Sequence, residues 1–521
     1  MGPQSKEIRE FLAREHSSTR GMTFDAAERA RPGAGAGSVA IVHDAARASR
    51  GGVYLGLGAH GWAWTGPERS TLVLGPSRSG KTSALVVPNV LSAPGAVVAT
   101  STKPDVLRTT AGARASSGWC LAFDPTGALE LPPGVHRVGW SPVNAAREWH
   151  GALEVADAMV RTARGRPTGV VGAGPDGHWT ERAAALLAPL LHAASLDGVS
   201  MRGVLHWVDR HDGVPALDAL VARLGGDAVP TDLLAGILST DEREQSGIWS
   251  TASGVLAAYR SPGALASTER PLLDPDGFCA GAHTLYVCAP AAQQRLLAPL
   301  VVAMLSEVRD AAYRRTARQD LPETAPVLFA LDEVANIAPL PDLPSLVTEG
   351  PGQGLLTLAC LQDLSQARAR WGAEADAFVS LFGATVVLGG IADIRTLEAL
   401  SALSGDREVR SRTVGFSEGG TGGRQVTATD ATVLRRRLAV DAVARGVDGW
   451  ALCVDARNRL GWVRLTPAHE AWPWRDCSRG ARERGPDARE RGPDARERGR
   501  DAWEIVRPVL SADGRTRRRG P

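Results

Sequence analysis

Lysine is nearly absent from this chain. Only Lys6, Lys81 and Lys103 occur in 521 residues, and arginine supplies almost all of the positive charge. Cysteine is sparse as well, six residues with no C-x-x-C pair, which excludes a disulfide or zinc framework and suits small core residues of a reduced protein. No stretch approaches 18 uninterrupted apolar residues, and the richest run, Ala183–Ser195, is broken by Pro189 and His192. The N-terminus also lacks a basic-then-apolar signal pattern. The expectation is a cytoplasmic protein that docks on the inner face of a membrane at most peripherally. A net charge of +2 indicates no partner by itself, and 44% hydrophobic with 22% charged residues is ordinary for a globular chain. Aromatics are few, yet tryptophan makes up 14 of them. Core packing is the expected role for most, including Trp179, Trp207 and Trp249, with base stacking as the functional alternative.

Against this background one stretch stands out, T-L-V-L-G-P-S-R-S-G-K-T-S-A-L-V-V-P-N-V-L at residues 71–91. A β-branched apolar run leads into Gly75-x-x-x-x-Gly80-Lys81-Thr82 and then into an Ala/Leu/Val segment of helical character. Strand, glycine loop and helix in that order form a phosphate-binding loop. Residues Gly75, Pro76, Ser77, Arg78, Ser79, Gly80, Lys81, Thr82 and Ser83 are expected to cradle phosphate oxygens with backbone N–H groups at a helix N-terminus. Lys81 reaches the β/γ-phosphates as a point charge, and the Thr82 hydroxyl is a Mg²⁺ ligand. With lysine so scarce, a chance match is improbable.

A loop of this kind requires an acidic partner. Val327–Leu331 is an apolar strand ending in Asp332-Glu333. Asp332 is expected to hold Mg²⁺ and Glu333 to polarise the attacking water as general base. The next strand, Leu355–Leu361, ends at Gln362, whose amide is placed to sense the γ-phosphate; a helix N-cap at Asp363 or Ser365 is the plainer reading, and both can hold.

Strands alternate with helices through Gly95–Thr100 and Trp119–Phe123, which predicts a parallel α/β sheet with its ligand at the strand carboxyl ends. From about residue 146 to 270 only helical spacing is found, and strands resume at Thr284–Cys288. The fold class expected is α/β, a P-loop NTPase domain with an inserted all-α domain. Residues 1–50 read as a flexible arm, 51–145 and 271–475 as the two parts of the NTPase core, and 146–270 as the insertion. Residues 476–521 read as a disordered tail carrying the repeats A-R-E-R-G-P-D and a final Arg515/Arg517-Arg518-Arg519 cluster. Electrostatic tethering of that tail to DNA or anionic membrane is weighed against a functionless extension.

Several features together resemble the conjugative coupling proteins of type IV secretion, the TraG/TraD class. They are Asp332-Glu333, L-x-x-L-P-x-L at 340–346, Gln362–Gln366, Trp371-Gly372, and the run from Asp393 to Gly405. Pro88-Asn89, Asp124-Pro125, Trp179 opening a helix, and T-L-Y-V-C-A-P-A at 284–291 with Gln294 add to it. The resemblance covers roughly residues 50–470. It implies a RecA-like motor, a substrate-recognising helical domain and a homo-hexameric ring. It also implies ATP with Mg²⁺ as cofactors, DNA (single-stranded, with a bound relaxase) as substrate, and secretion-channel or membrane-anchor proteins as partners. A double-stranded DNA pump and a nucleotide-gated adaptor that moves no DNA remain the alternatives. Two departures stand: no transmembrane helices precede the loop, and Gly350-Pro351-Gly352-Gln353 occupies the place of the family's Gly-Arg. Arg368, Arg370, Arg395 and Arg407 are the candidate substitutes for an arginine acting across a subunit interface.

Overall fold

Short apolar runs rich in Val, Leu and Ala become strands here because helices cover them on both faces. The computed structural model describes residues 38–59, 61–164, 175–318, 325–418, 424–483 and 506–507. In chain order the first six strands are β1 (Tyr54–Gly58), β2 (Gly61–Trp64), β3 (Thr71–Leu74), β4 (Val97–Ser101), β5 (Cys120–Phe123) and β6 (Val135–Val138). After a helical stretch come β7 (Leu272–Leu273), β8 (Thr284–Cys288), β9 (Val327–Leu331), β10 (Leu355–Leu361) and β11 (Ala384–Leu388). A ribbon, β12 (Asp406–Glu418) with β13 (Arg424–Arg436), is followed by β14 (Trp450–Asp455) and β15 (Leu460–Arg464).

Twelve of these form one sheet in the order β2-β1-β15-β14-β11-β3-β10-β9-β4-β8-β5-β6. From β11 to β6 every pairing is parallel, and from β11 through β14, β15, β1 and β2 every pairing is antiparallel. Every residue of β3, β4, β8, β9, β10 and β11 is buried, the signature of a parallel sheet covered on both faces. Alternate residues serve the two layers: Leu72 and Leu74 enter one core, Val73 the other.

Between β6 and β7 the chain is helical, with long helices Trp149–Arg164, Pro175–Asp197 and Glu242–Val255 around a Leu/Ala core. Trp149–Arg164 packs against Pro175–Asp197 and against Gln294–Ala317, the helix that follows β8. An ion pair and a hydrogen bond reinforce the helical segment's contact with the rest of the chain: Arg161 lies 2.7 Å from Asp342, beyond β9, and Trp140 Nε1 donates to Glu307 Oε2 at 2.7 Å. The chain is therefore an α/β NTPase fold of RecA type carrying an all-α segment.

Three features depart from the sequence reading. Residues 38–48 form a helix with Val42, Ala45 and Ala46 buried, so the expected flexible arm does not extend to residue 50; residues 1–37 lie outside the described residues. The apolar i, i+3, i+4 spacing and the bond from His43 Nε2 to Leu91 O (3.1 Å) hold it on the P-loop helix. At the other end, helix Trp474–Glu483 reaches past residue 476, because Trp474 and Cys477 are buried and no Gly–Pro step interrupts it before residue 485. Val506–Arg507 pairs with β7, and the rest of the repeat tail lies outside the described residues. Finally, no strands were expected at 406–436, where Val433 and Leu434, on opposite faces of the ribbon, are both exposed. With neither face apolar throughout, alternation gave no signal. No described helix is long and apolar enough to cross a membrane.

Candidate nucleotide-binding site

The glycine loop closes between two strand ends. Gly75 N donates to Leu361 O (3.1 Å), at the end of β10, and a Cβ at Gly75 would lie 2.9 Å from Ser79 Oγ and 3.0 Å from Leu388 Cβ. A side chain there would have to displace one of these neighbours. Arg78 (φ 64°) and Gly80 (φ 94°) take left-handed backbone and curl the loop. Lys81 is buried, folded back so that Nζ donates to the carbonyls of Gly75 and Pro76 (2.8 Å to the latter). Ser79 Oγ is buried without a hydrogen-bond partner, a cost that an oxygen-rich ligand in the loop would remove. The helix opens with a π-turn, Thr82–Val86, a local widening found mostly at functional sites.

Strand order then determines what faces the loop. β10 lies between β3 and β9, so Gln362 stands between the loop and the acidic strand end. Gln362 Nε2 is 3.5 Å from Ser77 Oγ, and its backbone N–H donates to Gln366 Oε1 (2.9 Å). Asp363 caps the following helix, accepting from Ser365 N (2.9 Å) and Gln366 N (3.1 Å), so the plainer N-cap reading holds at Asp363. Thr82 Oγ1 donates to Asp332 Oδ2 at 2.7 Å across 250 residues of sequence. Burial pushes the Asp332 carboxyl above its usual range; the Thr82 bond and the Lys81 charge pull it down, and neighbouring Glu333 pushes it up again. Thr82 and Asp332 supply the hard oxygens that Mg²⁺ takes. Among the described residues no three Asp, Glu, His or Cys side chains cluster into a cation cage.

Glu333 is half-buried and sits in left-handed backbone (φ 55°, ψ 51°), a conformation that costs a non-glycine residue about 1–2 kcal/mol. Strain of this kind concentrates at functional sites. The turn points the chain from β9 into the short helix Val334–Ile337, and Asn336 Nδ2 lies 3.5 Å from Glu333 Oε2.

The four arginines separate in the structure. Arg368 pairs with Asp393 (2.5 Å) and Asp376 (3.2 Å), pinning its helix to the next one. Arg370 Nη2 donates to Thr162 O (3.5 Å), at the end of helix Trp149–Arg164. Arg395 and Arg407 are exposed. Sequence reasoning also missed contacts that only the fold brings together. Gly390 (φ 96°) lies beside the loop, where a Cβ would be 3.0 Å from Pro76 Cγ, and the Gly389-Gly390 pair after an apolar strand was its signal. Trp371 Nε1 donates to Leu340 O (2.8 Å), tying the Gln362 helix to the loop after β9.

A phosphate-binding loop, an interposed strand bearing an amide and a buried aspartate bonded to the loop threonine define a RecA-like P-loop NTPase. The profile of the family described as type IV secretory system conjugative DNA transfer matches residues 36–437, and the chain belongs to that family. Among solved structures, the unbound bacterial conjugative coupling protein TrwBΔN70 aligns with a TM-score of 0.58 at 21% identity, over 81% of this chain and 90% of that one. TrwB in complex with ADP and Mg²⁺ aligns at 0.55 and 21% identity, over 77% and 85%. TrwB with the GTP analogue GDPNP aligns at 0.55 and 20%, over 77% and 86%. No curated protein sequence matches the chain.

Proposed function

We propose that the chain is an ATP-driven DNA translocase that couples a relaxase–DNA substrate to a type IV secretion channel. The observation that carries this reading is the bond between Thr82 and Asp332, which joins the loop to the acidic strand in a chain of the conjugative DNA transfer family. TrwB, which shares the fold, is described with ADP and Mg²⁺ and with non-hydrolysable ATP and GTP analogues, which supports ATP and Mg²⁺ as this chain's ligands. Mg²⁺, when bound, neutralises charge on the transferring phosphoryl group.

In this reading Gly75–Ser83 holds the phosphates, and Lys81 moves from its loop carbonyls to the β/γ-phosphates. Thr82 and Asp332 hold the metal. Glu333 accepts the proton of the attacking water, and Gln362 reports loss of the γ-phosphate. The helix that starts beyond Gln362 ends at Arg370 and Trp371, in contact with Thr162 O and Leu340 O, so a shift at the amide reaches the helical segment by packing alone. Residues 146–270 are then the substrate-recognising part, residues 51–145 and 271–475 the motor, and a homo-hexamer the working assembly.

The test is the ATPase rate of the full chain with and without single- and double-stranded DNA, alongside its oligomeric mass. Hydrolysis stimulated by DNA in a hexamer supports the motor, and the strand that stimulates more identifies the track. Hydrolysis indifferent to both strands would favour an adaptor that recruits proteins without moving DNA.

A further inference from the structure

The loop and the acidic strand take only the phosphates of a nucleotide, and its nucleoside needs a place beside them. One cavity answers that position. It is an open pocket of about 480 Å³ lined by Trp450, Arg464, Leu465, Thr466, Pro467 and Glu470, with Asp448 and Gly449 at one side. This volume falls within the range of small-ligand sites.

Its place in the sheet is set by register. Leu388 pairs with Ala451 and Trp450 with Arg464, so the pocket opens at the same strand edge as the glycine loop. β14 is two strands from β3, about 10 Å at the usual strand spacing. The pocket segment is also tied to the loop helix: Ala468 N donates to Ser83 O (2.8 Å), and Leu465 N donates to Gly449 O (2.7 Å).

Polarity along the loop follows. Gln362, Asp332 and Glu333 lie on the β10–β9 side of β3 and mark the terminal phosphate. The nucleoside end of the same molecule then extends to the other side, over β11 toward β14 and β15. We propose that the Trp450 pocket is the nucleoside subsite, with the base stacked on the indole and the ribose at the mouth; this rests on the loop binding a nucleoside triphosphate.

The lining combines an aromatic face, two carboxylates and one exposed guanidinium, Arg464, at the pocket's edge. Trp450 is partly exposed and offers an aromatic face. Asp448 and Glu470 are exposed carboxylates. They accept hydrogen bonds from ribose hydroxyls. Stacking reads no base edge, so the subsite accepts adenine and guanine alike.

The experiment is equilibrium binding of ATP and of inorganic tripolyphosphate, each with Mg²⁺, to the full chain. The variants are Trp450→Leu, which keeps apolar bulk without a π face, and Trp450→Phe, which keeps a π face. Trp450→Leu is expected to weaken ATP binding about tenfold and leave tripolyphosphate binding unchanged, with Trp450→Phe close to the parent. Equal ATP affinity in parent and Trp450→Leu overturns the subsite alone, as does a matching loss of tripolyphosphate affinity. A parent that binds neither ligand overturns the nucleotide reading and the subsite with it.

Discussion

Glu333 is held in a backbone conformation that its side chain opposes, and that strain is measurable. At φ 55° and ψ 51° the Cβ crowds the following carbonyl, at a cost of about 1–2 kcal/mol that glycine escapes. Glycine in turn gives the unfolded chain more freedom, which costs about 0.4–1 kcal/mol relative to alanine. The difference leaves Glu333→Gly about 1 kcal/mol more stable than Glu333→Ala. Both variants lose the same charge beside Asp332, so electrostatics cancels in the comparison. The assay is guanidinium unfolding followed by tryptophan fluorescence. Midpoints are compared rather than extrapolated energies, because a chain with an inserted helical unit need not unfold in two states. Both variants should also lose ATP turnover by about 10²–10⁴-fold, since neither can take up the water's proton. An alanine variant as stable as the glycine variant would refute the strain, and with it the argument that the turn is tolerated for the sake of the carboxylate's position.

Two further outcomes follow from buried polar groups. Asn89 accepts from Tyr54 N (2.7 Å) and donates to Tyr54 O and Leu85 O (both 2.9 Å), so Asn89→Leu should cost about 1–3 kcal/mol by removing the acceptor of the buried Tyr54 N–H, read as a lower denaturant midpoint. Asp124 is buried; burial pushes its carboxyl up, but bonds from Thr126, Leu129 N and Arg137 outweigh it and hold it below the usual carboxylate range. Its folded pKa is thus below the unfolded value of about 3.9. The stability that it contributes is complete above that value and is lost as pH falls through the folded pKa. The gap in midpoint between the parent and Asp124→Ala should be full at pH 6 and should close below about pH 4; a gap independent of pH down to 3 would contradict this.

What could be read from residues alone was whatever depends on neighbours in sequence. The loop from Gly75 to Thr82 is contiguous, and each residue type answers a local requirement, a tight turn, a charge or a hydroxyl. Asp332 and Glu333 follow an apolar run that ends where such carboxylates are useful. Pairing is another matter. Nothing between residues 75 and 355 says that β10 will insert between β3 and β9, yet that order puts Gln362 beside Ser77. Trp450 lies nearly 370 residues from Ser83 in a strand with no motif, and reaches the loop helix only through β14, β15 and the segment to Ala468. The helix at Ser38–Ala48 was hidden by the Gly-rich stretch before it, and its register is decided by packing on Leu91. The β12–β13 ribbon carries charge on both faces, Asp406, Arg412 and Arg436 on one and Arg407 and Arg435 on the other, and exposed aliphatic residues on both, so its period could not be seen.

The central claim is that Glu333 drives chemistry at a loop that binds ATP without it. The direct measurement is ATP affinity and single-turnover hydrolysis of Glu333→Gln beside the parent and Lys81→Ala. The amide preserves shape and cannot accept a proton, so Glu333→Gln should bind ATP like the parent and hydrolyse it about 10²–10⁴-fold more slowly. Lys81→Ala should lose hydrolysis because the charge that meets the transferring phosphoryl group is gone. Parent-like turnover in Glu333→Gln, or normal hydrolysis in Lys81→Ala, would contradict the account.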